Sequence, residues 1–247
     1  MGSTETDGVT TIPEPARRTD RATSLDPSWR RPILMMALPA VLLTVLIVGY
    51  VVAQGGAVEE AAMRAVLPFL IAANHVVVFV ALLWVLKREG RTLGDVGWRR
   101  DRVGGSVLGA VSLGLGAALA LYLFKELVLD AVQPLLEGRR PTFTSLFRFR
   151  YQSAELPLLA VATTLVAVEE SVYRGYGLAA LDRRWGRGWA LLAMSLLFGL
   201  LHWGNGGMAI LFTGVIGLAF GGLFLWRRSL LVPFVAHAAY NAMVILT

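Results

Sequence analysis

The chain consists of long hydrophobic blocks that are separated by polar ones. Apolar runs recur from Ile33 to the C-terminus, and short polar stretches separate them. An apolar run of about 20 residues is what an α-helix needs to cross the ~30 Å hydrocarbon core of a bilayer. We therefore predict seven transmembrane helices, at residues 33–53, 66–86, 103–124, 156–174, 188–203, 208–226 and 229–247.

The composition agrees with this pattern. The chain has 247 residues, of which 56% are hydrophobic and 16% charged, and its mean hydropathy is +0.62. Such values are typical of polytopic membrane proteins, so we predict an all-α transmembrane bundle of seven to eight helices that has the lipid bilayer as its partner. The chain contains no cysteine, which excludes disulfides, thiolate metal sites and a cysteine nucleophile.

The basic residues indicate how the helices are oriented. Sixteen of the 23 lysines and arginines lie in the N-terminal tail or in the loops after the second, fourth and sixth predicted spans. If the spans alternate, all sixteen fall on one side of the bilayer, which is then the cytoplasmic side. We expect a multi-pass cell-membrane protein with a cytoplasmic N-terminus. The net charge of +6 follows from this loop bias and indicates no nucleic-acid partner.

Four segments follow from the same pattern. Residues 1–30 are polar and contain prolines, which predicts a disordered cytoplasmic tail. Residues 31–125 hold the N-terminal transmembrane helices. Residues 126–155 mix basic, acidic and apolar side chains, which favours an amphipathic or re-entrant segment in the membrane interface. Residues 156–247 form the C-terminal transmembrane core, which carries the polar motifs described next.

Glycines cluster in two of the predicted spans. Small residues four apart let helix backbones approach closely, so these glycines predict packing faces. They are Gly105 and Gly109 in the third span, and Gly214, Gly217, Gly221 and Gly222 in the sixth.

The stretch "VEESVYRGYG" places charged residues inside an apolar span. A carboxylate at the centre of a membrane helix costs about 2.5–3.5 kcal/mol on insertion scales, so such a residue needs a partner or a function. Glu170 and Arg174 are four residues apart and can neutralise each other on one helix face. Glu169 points about 100° away and is left free for chemistry. The alternative is that the whole group is a buried ion pair that fixes helix packing.

Two of the three histidines also lie in apolar spans with polar neighbours. His202 ends "FGLLH", and His237 precedes Asn241 by one helical turn in "HAAYN". With Glu169 these groups suit hydrolysis, in which a desolvated carboxylate activates a water and imidazole and amide groups bind the oxyanion. The same set could instead hold a catalytic zinc ion. We expect His75, in the second span, to be a packing residue.

The order and spacing of "EESVYR", "FGLLH" and "HAAYN" resemble the CAAX protease and bacteriocin-processing family of intramembrane proteases, also called the abortive-infection family. The resemblance covers about the last 95 residues. The three motifs are specific in combination, although each is weak alone. The first motif would also supply a supporting pair, Glu170 with Arg174.

The resemblance implies a role for each remaining site residue. Glu169 would activate the catalytic water, His202 would help to hold that water, and His237 with Asn241 would stabilise the oxyanion. The implied substrate is a peptide or a segment of a membrane protein. Members are often described as metalloproteases, but a glutamate-dependent mechanism without metal is also held for part of the family. We therefore favour no cofactor and keep zinc as the alternative.

Counting along the predicted helices leaves one conflict. At 1.5 Å per residue, Glu169 and His202 would differ in depth by roughly 10 Å, which is too far for a shared site. To remove this mismatch, we predict that Gly175 and Gly177 end the fourth helix early and that a short helix dips back before the fifth.

Two other classes of function stay open. A non-catalytic scaffold or bacteriocin-immunity protein could use the same polar cavity to bind a partner. A small transporter could use membrane-embedded Glu and His as a proton relay, although we find no internal repeat and all three motifs lie in the C-terminal part.

Overall fold

The computed structural model describes residues 29–98, 106–136, 165–203 and 207–246. Within these ranges the chain forms helices and no strand, which confirms the prediction of an all-α bundle. The seven main helices are α1 (Arg30–Ala53), α2 (Glu60–Arg88), α3 (Val107–Leu136), α4 (residues 165–185), α5 (Arg187–Leu200), α6 (Gly207–Arg227) and α7 (Leu231–Leu246).

The chain is a membrane protein. Among the described residues, four stretches are long and apolar enough to cross a bilayer: Arg30–Ala53, Ala61–Arg88, Val107–Val128 and Ala209–Arg227. The helices α5 and α7 are also apolar but shorter. Most of the predicted tail, residues 1–28, lies outside the described residues. Of the predicted interfacial segment, residues 126–136 continue α3 and residues 137–155 lie outside the described ranges.

The centre of the bundle is a π-helical stretch within α4. It spans Ser171–Leu178, and all eight of its residues are buried. In a π-helix the backbone hydrogen bonds run from i to i+5, a geometry often found at functional sites. This stretch packs against α1, α5, α6 and the short 3-10 helix Leu93–Val96. The motif "SVYRGYGL" therefore forms the core around which the other helices assemble.

The glycines of this stretch allow close packing and do not end the helix. A Cβ added at Gly175 would lie 2.5 Å from the carbonyl oxygen of Val96, and one at Gly177 would collide with the side chain of Met36. The predicted early end of the fourth helix is therefore wrong. The helix continues to Trp185 and stops at Gly186, whose φ of 76° and ψ of 163° are incompatible with helix continuation.

This longer helix removes the mismatch in depth. Because α5 begins at Arg187, directly after Gly186, α4 and α5 form a tight helical hairpin. Glu169 precedes Gly186 by 17 residues and His202 follows it by 16. Both side chains are therefore about equally far from the tip of the hairpin. The predicted span 156–174 ends too early, because residues 175–185 continue the same helix.

The positions of four helix ends agree with spans that alternate in direction. The start of α1 and the ends of α2, α4 and α6 gather at one end of the bundle. Three side-chain pairs connect them: Trp29 with Trp185 at 6.4 Å between ring centroids, Tyr176 with Glu89 at 2.7 Å, and Arg228 with Asp182 at 2.8 Å. These are the same loops in which the basic residues collect.

Glycines also bring α5 and α6 together. A Cβ at Gly217 would lie 3.1 Å from the Cα atom of Ser195, and one at Gly221 would collide with Leu191. The predicted packing face on the sixth span is therefore confirmed at these two positions. An added Cβ at Gly222 would meet no atom within 4 Å, so Gly222 is not part of that face. In α3 the close contact is made by Gly114, against Val235 of α7, and not by Gly109, and the predicted Gly105 lies outside the described residues.

We expect Gly175→Ala to destabilise the protein by about 1–3 kcal/mol, because the backbone oxygen of Val96 cannot move away from the new methyl group. Thermal unfolding in detergent would show this as a lower midpoint. The matched control is Gly116→Ala in α3, where the added Cβ meets no atom within 4 Å. Equal midpoints for the two variants would contradict this account of the glycine.

Candidate active site

A buried ion pair lies at the base of the site. Arg174 Nη1 donates to Glu170 Oε1 at 2.9 Å, and both side chains are fully buried. The predicted pairing of these two residues is therefore confirmed. The guanidinium carbon lies 4.2 Å from the ring centroid of Phe198 and 5.5 Å from that of Phe220. These rings supply cation–π contacts to a group whose Nε and Nη2 atoms have no hydrogen-bond partner in the described structure.

The same carboxylate fixes the ring of His237. Glu170 Oε1 accepts a hydrogen bond from His237 Nδ1 at 2.8 Å, so Nδ1 carries a proton. In the neutral ring, Nε2 is then the unprotonated nitrogen. Nε2 lies 3.9 Å from Oε2 of Glu169. That distance is too long for a direct hydrogen bond and short enough for one water to contact both groups.

Glu169 is the more accessible of the two carboxylates. Its side chain keeps 16% of its surface exposed, whereas Glu170 keeps none. Glu169 is also not paired with Arg174, as the helical spacing predicted. Its Oε1 atom is bound by His75, and its Oε2 atom is turned toward His237. Of the two glutamates, only Glu169 can therefore reach a molecule that enters the site.

His75 belongs to this cluster: it is buried, as expected of a packing residue, and it also contacts Glu169. Its Nε2 lies 3.0 Å from Glu169 Oε1, and its Nδ1 lies 2.8 Å from the carbonyl oxygen of Ile71. A carbonyl only accepts, so Nδ1 carries a proton, and one further proton lies between Nε2 and Oε1. The available signal was the polar pair Asn74–His75 within an apolar helix. Asn74 is 1% exposed, and its amide has no hydrogen-bond partner in the described structure.

His202 lies at the edge of the same site, just after the end of α5. Its Nδ1 donates to the carbonyl oxygen of Phe198 at 3.1 Å, which leaves Nε2 available. The ring of Phe198 lies edge-on to His202 at 5.5 Å and to His237 at 5.8 Å between centroids. His202 and Glu169 are close enough to interact electrostatically. Asn241 follows His237 by one turn on α7 and is partly buried.

A mostly apolar cavity of about 400 Å³ opens beside His75. Phe79, Trp98, Val168 and Ser171 are among the residues that line it. The indole Nε1 of Trp98 donates to Ser171 Oγ at 2.7 Å, which ties the loop after the 3-10 helix to the start of the π-helical stretch. The cavity thus places an apolar surface beside His75, whose Nε2 contacts Glu169.

The zinc alternative finds no ligand set in this arrangement. Among the described residues, no three His, Asp or Glu side chains are placed so that they could hold one metal ion together. The three imidazoles each have Nδ1 bound to a carbonyl or a carboxylate oxygen, so Nε2 is the ring nitrogen left for other contacts.

We expect Arg174→Met to destabilise the protein by about 3–5 kcal/mol, because it leaves the charge of Glu170 buried without its partner. The double variant Glu170→Gln/Arg174→Met should recover part of that loss, since no charge then stays unpaired. Thermal unfolding in detergent measures both effects. The account fails if Arg174→Met unfolds at the wild-type temperature, or if the double variant is less stable than the single one.

Comparison with known proteins agrees with the motifs. Residues 152–243 match the family model described as "Type II CAAX prenyl endopeptidase Rce1-like". The matched region contains Glu169, Glu170, Arg174, His202, His237 and Asn241, and it excludes His75. No curated protein and no solved structure gives a significant match to the chain. The resemblance noted in the sequence is thereby confirmed: the C-terminal region of this membrane protein is similar to the Rce1-like type II CAAX prenyl endopeptidases.

Proposed function

We propose that this protein is an intramembrane endopeptidase that hydrolyses a peptide bond with a water activated by Glu169. One observation carries the proposal. The structure holds two adjacent carboxylates in different states, with Glu170 neutralised by Arg174 and fully buried, and Glu169 partly accessible with Oε2 turned toward His237. When two neighbouring carboxyl groups have such different environments, one can serve the structure and the other can transfer protons.

In the proposed reaction, Glu169 Oε2 accepts a proton from the water as the water oxygen attacks the carbonyl carbon. His202 helps to hold this water through its free Nε2, which accepts the second water proton as a hydrogen bond. The proton taken up by Glu169 then passes to the amide nitrogen, and the carbon–nitrogen bond breaks. The products are a carboxylic acid and an amine, so the proton balance closes without another reactant.

The negative charge that develops on the carbonyl oxygen needs hydrogen-bond donors. The side-chain amide of Asn241 supplies one donor. His237 can supply another only when both ring nitrogens carry protons, because Nδ1–H is already donated to Glu170. The carboxylate of Glu170 is then close enough to balance the positive charge of that imidazolium. Balancing the charge of protonated His237 would be a second role of Glu170, besides its ion pair with Arg174.

The substrate we propose is a peptide or a membrane-protein segment that reaches the site from the bilayer. The apolar cavity beside His75 can take a hydrophobic side chain of such a segment, and His75, which lines the cavity, hydrogen-bonds Glu169. A substrate side chain of the size of Leu or Phe fits a space of about 400 Å³. Transfer of that side chain from water would contribute about 1.5–3 kcal/mol to binding.

The proposal predicts that Glu169→Gln lowers cleavage of a quenched peptide library by about 100- to 10,000-fold, which is the usual contribution of a general base. Purified protein in liposomes is the appropriate sample, and His202→Ala should be similarly impaired. The matched control is Glu126→Gln on α3, an exposed glutamate outside the site, which should keep full activity.

A parallel assay with a zinc chelator separates the two mechanisms. Activity that persists with chelator and disappears in Glu169→Gln supports the glutamate mechanism. Loss of wild-type activity with chelator would replace it by a metal-dependent one. If wild type cleaves no peptide, and a cellular phenotype persists in Glu169→Gln, the protein is a binding or immunity protein and the protease proposal fails.

We also propose that the protein lies in the cell membrane and that the end of the bundle with the α4–α5 hairpin faces the cytoplasm, where the basic loops collect. The lack of native cysteine allows a direct test with single-cysteine variants. Arg184→Cys, on the exposed end of α4, should react with an impermeant maleimide only in inside-out vesicles. Gln54→Cys, just after α1, should react only in right-side-out cells. The reverse pattern would invert the topology.

A further inference from the structure

One contact of the site comes from outside the region that matches the protease family. His75 lies on α2, about 77 residues before the first matched residue, yet its Nε2 is 3.0 Å from Glu169 Oε1. His75 is 6% exposed, so this hydrogen bond forms away from water. A polar contact in such surroundings holds its geometry better than one that water can replace.

The ring of His75 is held at both nitrogens. The carbonyl oxygen of Ile71, one turn earlier on α2, accepts from Nδ1–H at 2.8 Å and thereby limits rotation of the ring. With the ring fixed, Nε2 has one direction in which to bind, and Glu169 Oε1 occupies it. The backbone of α2 therefore fixes the imidazole, and the imidazole in turn holds Glu169 on α4.

This support decides which oxygen of Glu169 is available. A glutamate side chain has several rotatable bonds, and burying one in a single rotamer costs up to about 2 kcal/mol of conformational entropy. The contact at Oε1 helps to offset that cost and leaves Oε2 turned toward His237 Nε2, at 3.9 Å. Without His75, the carboxylate could rotate about its terminal bonds and lose this alignment.

We infer that His75 is a positioning residue, which holds Glu169 so that Oε2 meets the attacking water. The inference rests on the proposed protease function. It also gives α2 a part in the reaction. Such a part explains why a histidine is present in a transmembrane helix, where a polar side chain is costly. The nearest approach of His237 to Glu169 is 3.9 Å, between Nε2 and Oε2, which is too long for a direct hydrogen bond. Among the described residues, His75 alone hydrogen-bonds Glu169 directly.

The test compares His75→Leu with His75→Gln. The leucine removes the donor, and we expect kcat to fall by about 100-fold, the usual effect of a misplacement by about 1 Å, with KM within about twofold of wild type. The glutamine keeps an N–H that can reach Glu169 Oε1, so it should recover about tenfold of that loss in kcat. Val77→Ala, two residues along on the exposed face of α2, serves as the control and should keep wild-type kinetics.

A purely structural role would give a different result. Both His75 variants would then unfold at a lower temperature and lose activity to the same extent, without rescue by glutamine. Wild-type kinetics in His75→Leu, while Glu169→Gln is inactive, would overturn the inference and leave the proposed function intact. Activity in Glu169→Gln would overturn the proposed function itself.

A second measurement does not depend on turnover. The chain has three histidines, so their ring 15N resonances can be assigned with single variants. We expect the Nε2 resonance of His75 to shift in Glu169→Gln relative to wild type, because the shared proton is lost. An unchanged resonance would show that the contact does not form in the membrane, and the inference would then be withdrawn even if wild type cleaves no substrate.

Discussion

The arrangement of this site depends on the buried ion pair between Glu170 and Arg174. A charge in the interior of a membrane bundle is tolerated only when it is paired and hydrogen-bonded, so this pair restricts every group around it. Arg174 lies against the rings of Phe198 and Phe220, and Glu170 orients His237. Helices α4, α5, α6 and α7 therefore meet at one charged centre, and their relative positions follow from its requirements.

Close backbone packing makes that centre possible. The π-helical stretch of α4 approaches the 3-10 helix at Gly175 and α1 at Gly177, where any side chain would collide. The hydroxyl of Tyr173 in the same stretch donates to the carbonyl oxygen of Met36 at 2.7 Å. Glycine contacts and polar anchoring thus bring the N-terminal helices onto the C-terminal region.

The three imidazoles have a common feature that links structure to the proposed chemistry. Each has Nδ1 bound to a carbonyl or a carboxylate oxygen, through Ile71, Phe198 or Glu170. The Nε2 atoms are thereby left for other contacts: one binds Glu169, one lies 3.9 Å from it, and the third belongs to His202. The helices orient these rings before substrate arrives, so the proposed reaction needs little reorganisation of the site.

The sequence by itself determined the all-α membrane bundle. Backbone N–H and C=O groups in lipid must hydrogen-bond within the protein, and an apolar run of spanning length achieves this as an α-helix. It also determined the pairing of Glu170 with Arg174, because residues i and i+4 are neighbours on any helix. Only the tertiary structure showed that the fourth helix continues through Gly175 and Gly177, since a glycine that ends a helix and one that admits a neighbouring backbone look alike in sequence. Only the tertiary structure placed His75 beside Glu169, because that contact joins residues 94 positions apart on different helices. Local spacing carries no information about such a contact, which depends on how the helices pack.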